Sequence, residues 1–122
     1  MQWEKPSQEL TSLLVNNMEP FGAQKKTMFG STCYFMNGNM FTGVHRNHIF
    51  LRLSEQDREG VKELFKDTTH FEPVEGRPMR EYMNLSPLLY RDDAQFKLWI
   101  ARSMKYVGSL PPKTTKVKKV KK

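Results

Sequence analysis

The chain is poor in the residues that carry most nucleophilic and metal chemistry. It has one cysteine, Cys33, and three histidines, His45, His48 and His70. A single cysteine forms no internal disulfide, which points to a reducing, cytoplasmic compartment. No run of about 18 uncharged apolar residues occurs, so a membrane-spanning helix is not expected. The N-terminus, Met1-Gln2-Trp3-Glu4-Lys5-Pro6, has no basic segment leading into an apolar one and does not read as a secretory signal. Glycine patterns that cradle phosphates are missing too. There is neither GxxxxGK followed by serine or threonine nor GxGxxG after a strand. At 122 residues the chain is also short for a dinucleotide-binding architecture.

Acidic residues are absent from the C-terminal end. Residues 113–122 read Lys-Thr-Thr-Lys-Val-Lys-Lys-Val-Lys-Lys, six of the 20 basic side chains, which leaves 14 basic against 13 acidic residues in 1–112. The net charge of +7 therefore belongs mainly to a tail, not to the body. The expected organisation is one domain over 1–112 and a disordered lysine-rich tail over 113–122. Lys113, Lys116, Lys118, Lys119, Lys121 and Lys122 would give weak, salt-sensitive, sequence-independent contact with nucleic acid. With no aromatic residue among them, specific single-strand recognition is not expected.

Periodicity supplies the elements. Leu10, Leu13, Leu14 and Met18 share one helical face in Ser7–Met18, and Glu19-Pro20-Phe21-Gly22 stops it. Cys33–Met36, Met40–His45 and Ile49–Leu53 read as three strands of an antiparallel meander, with Asn37-Gly38 and Arg46-Asn47 as the turns. A shorter strand around Lys26–Phe29 is compatible with the pattern. Met40, Thr42 and Val44 are expected on one face, as are Ile49, Leu51 and Leu53. Ser54 followed by Asp57 resembles a capping box, opening a helix whose buried stripe is Val61, Leu64 and Phe65. His70–Glu72 and Met79–Leu85 read as extended, and Ser86–Tyr90 gives no clear pattern. Asp92-Asp93 starts a last helix with Phe96, Trp99, Ile100, Met104 and Val107 inward, ended by Gly108. The fold class is α+β: a two-layer sandwich, α-β(3)-α-β(2)-α, with an antiparallel sheet covered on one face by helices. Tyr34, Phe41 and Phe50 are placed on the other face, where exposed aromatics would mark a contact surface.

The chemistry-bearing residues mostly have structural explanations. His45 and His48 flank a hairpin turn and are cross-strand neighbours, but two imidazoles need Cys33 or His70 to complete a metal site. Cys33 lies in an aromatic strand with no base beside it and reads as a buried thiol. The acidic pairs sit at helix starts. No metal, cofactor or catalytic group is expected. Two segments remain: Lys25-Lys26-Thr27-Met28-Phe29-Gly30 and Gly76-Arg77-Pro78-Met79-Arg80. From them Lys25, Lys26, Phe29, Arg77 and Arg80 are the expected contacts to a protein partner.

These motifs have a recognisable order. Lys26-Thr27-Met28-Phe29-Gly30 comes first, then Cys33-Tyr34-Phe35, Asn37-Gly38-Asn39-Met40-Phe41 and Gly43-Val44. Leu51-Arg52, Gly76-Arg77-Pro78-Met79, Ala101-Arg102-Ser103 and Ser109-Leu110-Pro111-Pro112-Lys113 follow. Together they resemble the N-terminal domain of the TfoX/Sxy family of competence regulators, from about Ser7 to Lys113. The resemblance implies the same helix, three strands, helix, two strands, helix order. It also implies a role in transcriptional regulation; full-length members promote natural-competence genes together with the cyclic-AMP receptor protein. It brings no catalytic residues and no cofactor. Full-length members carry a second, helical domain where this sequence has its lysine tail. The reading is thus a non-enzymatic regulatory or interaction module. The alternatives are a nucleic-acid accessory protein using the tail, and a small-molecule binder or enzyme with a pocket between sheet and helices.

Overall fold

A computed structural model describes residues 7–28, 30–74 and 76–111. Phe29 and the tail lysines Lys113, Lys116, Lys118, Lys119, Lys121 and Lys122 lie outside the described residues. Helix α1 (Gln8–Met18) is opened by Ser7, whose hydroxyl accepts the Leu10 N–H at 3.2 Å. A 3-10 turn (Glu19–Phe21) containing Pro20 ends it, and Gly22 leaves at φ +66°. Strands β1 (Gln24–Met28), β2 (Ser31–Met36), β3 (Asn39–His45) and β4 (His48–Arg52) follow as a meander. Then come α2 (Glu55–Leu64), β5 (Thr69–Val74), β6 (Arg77–Asn84), α3 (Pro87–Tyr90) and α4 (Asp93–Gly108). The six strands form one antiparallel sheet in the order β1-β2-β3-β4-β6-β5. The chain is therefore α+β with a helical layer on the sheet, as the sequence pattern requires. The short strand expected near Lys26 is real and forms one edge.

The main core lies between the sheet and the helices. Leu14 of α1, Val61 of α2, Leu89 of α3 and Phe96 and Ile100 of α4 meet Ile49, Leu51 and Met83, all fully buried. Ser103 ties α4 to β4, its hydroxyl donating to the Arg52 carbonyl at 2.6 Å. Ser54 caps α2 by accepting the Asp57 N–H, and Asp92 caps α4 by accepting from Ala94 and Gln95.

Three expectations need correction. Between β2 and β3 the register slips, so that Tyr34 faces Thr42 while Phe35 faces Met40, and Phe41 is the extra residue of a bulge. The slip reverses the alternation. Phe41 turns into the helix-side core with Tyr34, and Met40 goes to the opposite face from Thr42 and Val44. Of the three aromatics placed on the open face, only Phe50 is there. Finally, Leu64 is 67% exposed instead of buried. It is the last residue of α2, and Phe65, which already has extended backbone angles, packs against the core beyond the helix end instead.

Candidate functional site

The face of the sheet away from the helices is not bare. The β5–β6 pair has two register shifts, one between His70 and Phe71 and one between Phe71 and Val74. Such bulges bend and coil a strand pair, and here they bring Phe71 of β5 over β4. Its ring stacks on Phe50 at 4.4 Å between centroids and 11° between planes. Tyr82 packs edge-on to Phe50 at 5.9 Å, and its hydroxyl reaches across β4 to donate to the Met40 carbonyl at 2.7 Å. Cys33 completes this second cluster, with Phe35, Met40 and Met79 half-buried around it. Burial pushes the Cys33 thiol up to about 11, so it is inert at neutral pH.

Close packing on this face explains Gly43. A side chain there would stand 2.8 Å from Phe50 Cζ and 2.9 Å from Cys33 Sγ. Gly43 is the gap into which Phe50 fits.

The rim of this face holds some of the expected partner contacts and separates others. Lys25 and Lys26 are exposed on β1. They point to opposite faces, because Lys25 is opposite Tyr34 and Lys26 opposite Cys33. Lys26 lies on the aromatic face, with Nζ 4.9 Å from the Phe35 ring centroid. Arg80 is exposed at the far end of the sheet, beside Arg58, His70 and Glu72. Arg77 opens β6, and its side chain lies outside the described ones. The structure thus divides the lysine and arginine segments between the two ends of the sheet. His45 and His48 are cross-strand partners, as the turn implied. Among the described residues, no three His, Cys, Asp or Glu side chains stand close enough to share a metal ion.

The two sheet edges differ in what they offer. β5 contains Pro73, which has no N–H to give, and its two register shifts break a straight ladder. β1 is regular over five paired residues, and among the described residues no strand lies on its outer side. The edge β1 was only faintly legible in the sequence, since Gln24–Met28 has no apolar alternation. Its signal is the Asn-Gly-punctuated meander beside it, which needs a neighbour for Cys33–Met36.

No helix among the described residues is long and apolar enough to cross a membrane. The body is a two-layer α+β fold with one open strand edge and an aromatic cluster on the face away from the helices. The family model described as the TfoX N-terminal domain matches residues 16–106, well over half of the 122, and the chain belongs to that family. This is not a known family of enzymes. Neither the curated proteins nor the solved structures give a match.

Proposed function

We propose that the domain is a non-enzymatic regulatory module of the cytoplasm that acts in transcriptional control by binding a protein partner along β1. The partner contributes an extended segment carrying acidic and apolar side chains. The observation that supports this reading is the open edge itself: a regular strand with Lys25 on one face and Lys26 on the other. Strand addition draws affinity from main-chain hydrogen bonds and specificity from alternate side chains. Acidic residues on the incoming strand would answer both lysines, and a long apolar side chain on the aromatic side would reach over β1 toward the half-buried Phe35 of β2. The same lysines work against a second copy of this chain. Two β1 strands paired antiparallel would bring lysines into register with lysines, and like charges across strands are destabilising.

Replacing Lys25 and Lys26 by glutamate in the host tests the proposal. The double variant should keep the fold, since both side chains are exposed, and should reproduce the transcript changes of the deletion strain at normal protein level. If deletion leaves transcripts unchanged, or if the double variant behaves as wild type, the proposal fails.

A further inference from the structure

The start of α1 is tied to one point on the sheet. The Ser7 N–H donates to the Arg46 carbonyl at 2.9 Å, and Ser7 caps α1 from there. Arg46 belongs to the turn between β3 and β4 and sits at φ +56°, a left-handed conformation that a residue with a side chain adopts at a cost. The hydrogen bond anchors that turn and sets the residue before Ser7 at the tip of the β3–β4 hairpin. Residues 1–6, Met-Gln-Trp-Glu-Lys-Pro, lie outside the described residues.

Beside the same tip is an open cleft of about 310 Å³, lined by Arg46 and His48 from the turn and by Thr69, Phe71 and Glu72 from β5. Within it His45 and Phe71 meet edge-on, with ring centroids 5.1 Å apart and planes at 77°. Phe71 in turn stacks on Phe50, so the cleft opens onto the outer end of the aromatic cluster. Ring surface beside oxygen acceptors suits a side chain with a broad apolar body and one N–H, which describes an indole. Trp3 stands four residues before Ser7, at most about 14 Å of extended chain, and the cleft begins at the residue to which Ser7 is bonded. On the helix side of the tip the sheet is already covered, because α1 packs on β3 and β4. Charge agrees with this placement: Glu4 is the one acidic residue among 1–6, and the turn carries Arg46 and His48.

We propose that residues 1–6 fold back over this cleft as a strap of the same molecule, with the Trp3 ring against Phe71 and His45 and Glu4 over the β3–β4 turn. The strap closes the aromatic face at the end of the sheet where β5 lies. It is separate from the β1 edge, so either reading can fail without the other.

The test is nuclear Overhauser spectroscopy on the full chain in dilute solution. Cross-peaks are expected between the Trp3 indole protons and the rings of Phe71 and His45. Trp3→Ala should abolish them, shift the Phe71 and His48 ring signals, and leave the Trp99 signals of α4 in place. A mixture of isotope-labelled and unlabelled chains separates the strap from exchange between molecules: the cross-peaks should arise only within one chain. Trp3 cross-peaks to the helical layer, or none at all, would overturn the proposal. So would cross-peaks between chains, which make a second copy the occupant, or a folded Trp3→Ala variant with unmoved Phe71 and His48 signals.

Discussion

Replacing Gly43 by alanine should destabilise the domain, against the usual sign of such a change in a strand. Glycine in a strand interior ordinarily costs roughly 0.5–1 kcal/mol through backbone freedom lost on folding, so alanine is normally an improvement. Gly43 has no left-handed backbone to forbid a side chain. What opposes alanine is space. Its Cβ would stand 2.8 Å from Phe50 Cζ, 2.9 Å from Cys33 Sγ and 3.0 Å from the Thr32 carbonyl oxygen. Carbon atoms pack best at about 3.5–4.0 Å, so the neighbours must retreat by more than half an ångström. Phe50 has little room to do so, stacked on Phe71 at 4.4 Å and flanked by Tyr82 at 5.9 Å. Thr32 is held in the β1–β2 ladder, opposite Thr27. Overpacking of this kind costs about 1–3 kcal/mol, which exceeds the entropic gain and leaves a net loss of roughly 1–2 kcal/mol. For a chain of 122 residues that lowers Tm by roughly 4–8 °C. Urea denaturation gives the free energy, and the double variant with Phe50→Leu separates steric conflict from other causes. Trimming Phe50 should recover part of the loss, a coupling of at least about 0.5 kcal/mol. Gly43→Ala at or above wild-type stability, or strict additivity with Phe50→Leu, would refute the packing argument.

Three further outcomes follow from the same face and its surroundings. Tyr82→Phe removes the hydroxyl that donates to Met40 and should cost about 1 kcal/mol by urea denaturation. Cys33 should resist alkylation at pH 8 in the native chain and react once urea is added. Because burial raises its folded pKa to about 11 from 9.0, its contribution to stability is intact below pH 9 and declines as pH rises toward 11. Burial pushes the Glu81 carboxyl up, but hydrogen bonds from Arg52 (2.7 Å) and Tyr106 outweigh it and hold the folded pKa below the ordinary value. Its contribution is therefore present at neutral pH and lost as pH falls through that lowered pKa. Glu81→Gln should flatten the acid limb of the stability curve.

The sequence carried the helical layer well and the far face poorly, for identifiable reasons. Ser7, Ser54 and Asp92 announce their helices because capping is local chemistry, and each indeed accepts the N–H groups expected of it. Ile49, Leu51 and Leu53 alternate correctly because β4 has no bulge. Tyr34 and Phe41 were misplaced because period-2 reading assumes unbroken alternation, and the slip beside Tyr34 adds a residue that alternation cannot see. The aromatic cluster under Phe71 depends on two register shifts in β5–β6, a non-local bend with no signature in composition. His45 and His48 could be paired from the two-residue turn between them. His70 lines a cleft with them only through the strand order β4-β6-β5, which the sequence does not state.

The β1 edge is the point on which the functional account stands. A photo-crosslinking residue in place of the exposed Thr27, in the host, reports directly on what lies against that strand, with the same residue at exposed Lys97 of α4 as control. The account predicts a discrete protein adduct from position 27 that disappears when Lys25 and Lys26 are glutamate, and none from position 97. No adduct from position 27, or the same adducts from both positions, would contradict it.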